Sequence, residues 1–148
     1  MLAVTKDEER KLAARLFNRV WKLMTKRGRS REDDDEMLHA AHASRYHWGV
    51  VGKPENRARG EWQISRVYTV LGRGEPAIAH ARRCLDICEQ HGMANWDLAY
   101  AYEALARAHR TAGGKAEAAK FKKLAREAGA RIIEAEEREH FNEDYATL

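Results

Sequence analysis

Proline and cysteine are scarce in this sequence. Only two prolines, Pro54 and Pro76, occur in 148 residues, so long stretches are free of the residue that breaks helices. The two cysteines lie four residues apart, which does not indicate a disulfide framework. Long apolar runs are also missing: none approaches the length of a membrane span, and the charged start, MLAVTKDEERK, has no signal-peptide core. We therefore expect a cytoplasmic protein without a membrane partner.

Sequence motifs of familiar catalytic sites are missing as well. The chain has no GxSxG nucleophile elbow, no phosphate-binding glycine loop and no HExxH zinc helix. The glycines of LGRGE follow no predicted strand, so they indicate a turn. The sequence predicts a protein that is not an enzyme and that carries no cofactor.

The composition that remains favours helix. Apolar residues make up 44% of the chain and charged residues 34%, which is typical of a globular domain. Thirteen alanines fall between Ala94 and Ala130, and alanine is the strongest helix former. A chain of 148 residues is long enough to bury a core of its own. We predict an all-α fold in a single domain over residues 1–148.

The spacing of apolar residues predicts six helices joined by short turns. Thr5 and Glu8 form a capping box ahead of the first helix, and Pro54 suits the first turn of the third. The predicted helices cover residues 7–26, 33–50, 54–72, 76–92, 95–113 and 115–128. Because the connections are short, they should pair as antiparallel hairpins at 7–50, 54–92 and 95–128. A kink at Gly129 is expected before a charged helical extension over residues 130–148.

Two segments of the chain align with each other at a constant offset of 41 residues. They are ISRVYTVLGRGEPAIAHARRCL (64–85) and LARAHRTAGGKAEAAKFKKLA (105–125). Gly72 matches Gly113, Ala77 matches Ala118, and Cys84 matches Ala125. Each unit is a helix, a short glycine turn and a second helix, with small residues where the helices approach. The pattern resembles the tetratricopeptide repeat (TPR) over residues 58–128, and more weakly over residues 12–50. The resemblance implies a short α-solenoid of stacked hairpins.

The resemblance also implies a ligand-binding groove on the first helix of each repeat. The positions that contact ligands in such repeats fall here on Arg59, Trp62, Arg66, Thr69, Tyr100, Glu103, Arg107 and Arg110. The first hairpin would add Arg15, Asn18, Lys22 and Thr25. Arginine forks bind carboxylates, and the two aromatic side chains can stack on a ligand. We therefore expect a protein-interaction module that binds an acidic peptide or the C-terminus of a partner protein.

Two series of polar residues raise a metal-binding alternative. The first is His80, Cys84, Cys88 and His91, and the second is Asp35, His39, His42 and Tyr46. The ends of the first series lie about 16 Å apart along one helix, so its four side chains cannot reach one ion. Cys84 aligns with an alanine at a helix contact, which predicts that Cys84 and Cys88 are packing residues. Metal binding by His39 and His42, in a sensor or enzyme, stays open as an alternative, and no metal ligand is assigned.

The C-terminal segment suggests a further alternative. Residues 134–144 contain six acidic residues and one arginine. This segment can dock on a basic surface of its own chain or of a second copy, so an oligomeric scaffold and a homodimer also stay open. The net charge of +4 is small and its basic residues alternate with acids, so nucleic-acid binding is not expected.

Overall fold

The computed structural model describes residues 3–148, and over that range it contains seven helices and no strand. The helices are α1 (Lys6–Thr25), α2 (Arg31–Val51), α3 (Pro54–Val70), α4 (Gly74–Gln90), α5 (Asn95–Thr111), α6 (Lys115–Ala130) and α7 (Ala135–Tyr145). They pack as three hairpins, α1 with α2, α3 with α4 and α5 with α6, and each hairpin contacts the next. The all-α prediction of stacked hairpins is confirmed. Within the described range, no helix has the length and apolar character needed to cross a membrane.

The first two helices begin where polar side chains satisfy their free amides. The Thr5 hydroxyl accepts a hydrogen bond from the Glu8 amide, and the Glu8 carboxylate accepts one from the Thr5 amide, both at 3.1 Å. Ser30 and Asp33 repeat this exchange at the start of α2. Such capping boxes fix where a helix begins, because the first amides have no partner inside the helix. The capping box predicted at Thr5 is confirmed.

The turns at Gly72 and Gly113 are copies of each other. Both glycines have a positive φ, 74° and 83°, which residues with a side chain rarely adopt. The amide after Gly72 donates to the Tyr68 carbonyl, and the amide after Gly113 donates to the His109 carbonyl, both at 2.8 Å. The helices that precede these turns, α3 and α5, have 17 residues each. The offset of 41 residues in the sequence is therefore also present in the backbone.

The C-terminal region differs from the prediction of one kinked helix. Helix α6 ends at Ala130, and α7 begins only at Ala135, so the described chain has seven helices rather than about six. Ile132 in the connection is buried, and its carbonyl accepts a hydrogen bond of 2.8 Å from Arg138. Burial of Ile132 requires the chain to turn back towards α5 and α6. A straight charged extension would have left this side chain in water.

Helix α5 lies at the centre of the C-terminal half of the stack. It packs against α3, α4, α6 and α7. Its small residues allow these neighbours to approach on several sides, because an alanine adds only one methyl group to the helix surface. The buried alanines of α5 are Ala99, Ala101, Ala104, Ala106 and Ala108. The face of α5 that carries Tyr100 lies towards α3, where the Tyr100 ring meets that of Trp62.

Candidate functional site

A cavity of about 450 Å³ opens between α1, α3, α4, α5 and α7. Five aromatic side chains line it, together with Ala58 and Cys84 from the core. The aromatic residues are Phe17, Trp21, Trp62, Trp96 and Tyr100. A volume of this size and an aromatic lining are typical of ligand sites.

The aromatic rings support one another through edge and tilted contacts. The Trp62 ring centre lies 5.5 Å from that of Trp21 and 5.7 Å from that of Tyr100. Trp96 meets Tyr100 at 5.4 Å, with the ring planes 89° apart. Such distances and angles are favourable for aromatic pairs. The rings therefore form a connected wall whose shape does not depend on a ligand.

The arginines of the cavity are already paired with carboxylates. Arg59 donates two hydrogen bonds to Asp97, at 3.0 and 3.1 Å, and its guanidinium lies 5.1 Å from the Trp96 ring centre. Arg66 lies 5.8 Å from the Trp62 ring centre and donates to Glu103 at 3.2 Å. Two-point pairing with Asp97 holds the Arg59 guanidinium in place, and a single hydrogen bond to Glu103 holds that of Arg66. Both groups also lie close to an indole ring. The lining is aromatic and nearly balanced in charge, in contrast to the basic groove that the sequence predicted.

Glu103 is fully buried, which contradicts its predicted place on a ligand-contacting surface. Its Oε1 atom accepts hydrogen bonds from Arg107 Nε at 2.7 Å and from Arg66 Nη1 at 3.2 Å. The relative exposure of Glu103 is 0%. The close approach of α3 to α5 encloses this carboxylate, and the two arginines compensate for its lost hydration. Glu103 therefore orients the arginines and cannot contact a partner.

The C-terminal segment of the chain covers the other end of the predicted groove. The Tyr100 hydroxyl donates a hydrogen bond of 2.6 Å to Asp144. Arg107 donates to the Asp144 carbonyl at 3.2 Å and to the Thr147 hydroxyl at 2.7 Å. Arg110 donates to the Thr147 carbonyl at 3.3 Å. Burial is the main cause of a raised pKa at Tyr100, and the hydrogen bond to Asp144 is the second cause. The hydroxyl therefore stays protonated and remains the hydrogen-bond donor.

Phe141 is the apolar anchor of α7. It is 1% exposed, and its ring centre lies 5.1 Å from that of Tyr100. The ring also rests on Gly129 of α6, where an added Cβ atom would overlap the ring edge. The absence of a side chain at Gly129 is thus what makes room for the anchor. The glycine that the sequence suggested as a kink is instead part of a seat for Phe141.

The structure places the predicted groove residues in different surroundings. Arg59 and Trp62 line the open cavity, while Arg107 and Arg110 lie under the C-terminal segment. Two further residues, Arg66 and Tyr100, stand at the boundary and line the cavity beside Asp144. The positions suggested on the first hairpin, Arg15, Asn18, Lys22 and Thr25, are exposed and are not among the residues that line the cavity.

Sequence reasoning missed eight of the residues that line the cavity, among them Phe17, Trp21, Trp96 and Asp97. The sequence does contain a signal for three of these four. Trp96 and Tyr100 are spaced i, i+4 on one helix, as are Phe17 and Trp21, and residues at this spacing face the same side. Trp21 also stands where the repeat pattern expects a small residue, which indicated a departure from that pattern.

The cysteines of the first metal series are packing residues. Cys84 and Cys88 are free and buried in the core. The pKa of Cys84 is raised by its hydrogen bond with Cys88 and by burial, so its thiol stays protonated. His80 donates to Glu61 at 2.8 Å, and His91 is exposed beyond the end of α4. The four residues therefore do not converge on one point, in agreement with the packing prediction.

The histidines of α2 also fail to converge on one point. His39 is exposed, whereas His42 shares a hydrogen bond of 3.0 Å with the Tyr68 hydroxyl. The ring of His42 lies 5.3 Å from that of His80. Burial and the nearby His80 lower the pKa of His42, which keeps its ring neutral at pH 7. Across residues 3–148, no group of three or more His, Cys, Asp or Glu side chains is arranged to hold a metal ion.

Comparison of this chain with known protein families, with curated proteins and with solved structures finds no match.

Proposed function

We propose that this chain is a non-catalytic, cytoplasmic protein-interaction module built from TPR-like hairpins, and that it holds an acidic segment with an aromatic anchor. The seating of α7 carries this proposal. Phe141 occupies the notch at Gly129, and Asp144 meets Tyr100 and Arg66. A partner segment with the same chemistry exchanges with α7 at this face. The second and third hairpins have the same turn, which supports the repeat architecture. The two cysteines are free thiols, which supports a cytoplasmic location.

The attachment of α7 is suited to exchange. Phe141 is the buried residue of α7, and Tyr145 is partly buried beside it. Hydrogen bonds from Tyr100, Arg107 and Arg110 hold Asp144 and, just beyond the helix, Thr147. One buried aromatic side chain contributes roughly 2–3 kcal/mol, and partly exposed polar contacts add little. An external segment can therefore compete when its own anchor and carboxylates match those of α7.

The face that seats α7 and the segment that contains α7 carry opposite charges. Arg66 and Arg107 share one buried carboxylate, Glu103, and Arg110, which donates to the Thr147 carbonyl, adds a third positive charge. The face therefore has a surplus of positive charge. The acidic residues at 134–144 supply the opposite sign. Complementary charge speeds encounter and excludes basic segments, while the anchor provides most of the affinity. This is why we assign an acidic partner in spite of the paired arginines in the cavity.

Exchange with α7 can be tested with a labelled peptide of residues 134–148 and full-length protein. We expect the double variant Phe141→Ala/Asp144→Asn to bind the peptide more tightly than the wild type. The wild-type face is occupied by its own α7 at an effective concentration on the order of 1 mM, and the variant weakens that internal competitor. Fluorescence anisotropy measures the two dissociation constants.

The matched control is Glu139→Gln/Asn142→Ala, which makes comparable changes at exposed positions of α7. It should bind the peptide as weakly as the wild type does. A peptide that carries alanine and asparagine at its own anchor positions should not bind either protein. Equal binding by the wild type and the Phe141→Ala/Asp144→Asn protein would contradict the proposal. A dimer that is lost in the same variant would instead indicate exchange of α7 between two copies.

A further inference from the structure

The aromatic cavity remains open while α7 is in place. Its volume of about 450 Å³ is measured with His140 and Asp144 of α7 forming part of the lining. The cavity is therefore separate from the seat of Phe141, although the two share Tyr100 and Asp144. Volumes of this size accommodate small organic molecules.

The walls of the cavity favour a flat aromatic group. Three indole rings, those of Trp21, Trp62 and Trp96, line it, and none of the three residues is fully buried. Indole rings that remain accessible offer stacking and edge contacts to a planar ligand. Arg59 and Arg66 already lie over Trp96 and Trp62, so a ligand ring in the cavity would meet guanidinium planes as well as indoles.

The polar groups of the cavity favour a ligand with an anionic group. Both oxygens of Asp97 accept hydrogen bonds from Arg59, and Asp144 accepts one from Tyr100. Arg59 uses Nε and Nη2 for Asp97, and its Nη1 donates to no other residue in the described range. The side chain of Arg59 is 42% exposed. Arg59 Nη1 is thus an available donor, whereas three of the four carboxylate oxygens in the lining already accept hydrogen bonds. The fourth, Asp144 Oδ1, faces Arg66 Nη2 at 3.9 Å, so a cation would have to displace an existing partner to pair with either carboxylate.

We propose that this cavity binds a small planar aromatic carboxylate, with its ring among the indoles and its carboxylate on the free donor of Arg59. This inference does not depend on the peptide-binding function, because α7 keeps its place. A carboxylate suits the guanidinium, which can add a third hydrogen bond while it stays paired with Asp97.

The direct test titrates full-length protein with 2-naphthoate and with 2-naphthylmethylammonium, which share a ring system but differ in charge. We expect saturable quenching of tryptophan fluorescence by 2-naphthoate, since three of the four tryptophans line the cavity. The ammonium compound should bind at least about tenfold more weakly, because the carboxylates that line the cavity are already paired with Arg59, Arg66 and Tyr100. Isothermal titration calorimetry confirms the stoichiometry, which should be one per chain.

Two variants locate the site. Trp96→Leu removes one aromatic wall and should weaken the binding of 2-naphthoate about tenfold or more. Arg59→Gln removes the free donor and should abolish the preference for the carboxylate over the ammonium compound. Trp48→Phe is the control, because Trp48 does not line this cavity. It should leave the calorimetric affinity unchanged.

Thermal melting of each variant shows that it is folded before it is titrated. Arg59→Gln leaves Asp97 without its partner and can prevent folding. In that case Trp96→Leu provides the deciding test. Equal affinity for the two naphthalene compounds would overturn the proposal. So would the absence of saturation by 2-naphthoate, or binding by Trp96→Leu with wild-type affinity.

Discussion

Glu103 is the residue whose role changed most between sequence and structure. A charged side chain at a groove position predicts contact with solvent and ligand, yet Glu103 is buried between Arg66 and Arg107. Residue type alone could not reveal this, because burial results from the approach of α3 to α5. Reversal of both arginines to glutamate would place three carboxylates together in the interior and unfold the protein, so it cannot serve as a test of ligand binding.

Glu103→Ala should lower the free energy of unfolding by about 3 kcal/mol or more, because it leaves two largely buried arginines without their shared carboxylate. Urea denaturation followed by circular dichroism measures the change. The control Glu139→Gln alters an exposed carboxylate of α7 and should stay within about 0.5 kcal/mol of the wild type. A Glu103→Ala protein of wild-type stability would show that the pairing is not structural.

Tyr100 illustrates what a sequence alignment can identify at this scale. The repeat pattern selected Arg59, Trp62, Arg66 and Tyr100 as ligand-facing positions, and all four line the cavity. Helical spacing can identify residues that share one side of a helix, as these pairs on α3 and α5 do. It does not report which partners occupy those side chains, so the bond from Tyr100 to Asp144 could not be foreseen.

At the scale of elements, most helices could be predicted because their ends have local causes. Glycines with positive φ end them, and Thr5 or Ser30 begin them. The exception is the region after Gly129, where the local sequence is compatible with one kinked helix. What separates α6 from α7 is burial of Ile132 and Phe141 beside α5, a contact between distant parts of the chain.

Gly129→Ala should release α7 from the body of the protein. In a helix this substitution normally adds about 1 kcal/mol of stability, but here the new methyl group overlaps the ring of Phe141. Hydrogen exchange measured by mass spectrometry should show loss of protection over residues 135–145, with α6 unchanged.

The matched control is Gly114→Ala at the start of α6. A Cβ atom there meets its nearest neighbours at 3.6 Å, which is ordinary contact. Protection of α7 should therefore be unaffected in this variant. If α7 in the Gly129→Ala protein exchanges as slowly as in the wild type, the notch at Gly129 does not determine the docking of Phe141.

At the scale of the whole molecule, stability should decrease in mild acid. Burial lowers the pKa of His42 and of His109, with the nearby His80 contributing at His42. Unfolded histidines have a pKa of about 6.5, so the unfolded state takes up protons before the folded state does. The free energy of unfolding should therefore fall as the pH drops below about 6.5.

Urea denaturation at about pH 7.5 and about pH 5.5 measures this effect, since the two values lie on either side of the unfolded histidine pKa. In the double variant His42→Gln/His109→Gln, the difference in stability between the two pH values should shrink. The exposed His39→Gln variant should keep the wild-type difference. An unchanged difference in the double variant would assign the acid sensitivity to other groups.

The architecture was more predictable than the site for a physical reason. Helices and hairpins follow from local spacing, and the repeated glycine turns at Gly72 and Gly113 fix their order. A cavity depends on how side chains from different helices meet. Trp21 of α1 and Trp96 of α5 are 75 residues apart in sequence, and only the stacking of hairpins brings both to one opening.

The turn at Gly92, which connects one hairpin to the next, uses the same bonds as the turns within hairpins. Gly92 has a positive φ of 60°, and the amide of the next residue, Met93, donates a hydrogen bond of 2.8 Å to the Cys88 carbonyl. The backbone therefore leaves α4, the second helix of its hairpin, in the same way that it leaves α3 and α5, which are first helices. A helical hairpin inserted after Gly92 would begin at a turn that already has the geometry of the turns inside hairpins, so this is the position at which the stack could lengthen by duplication.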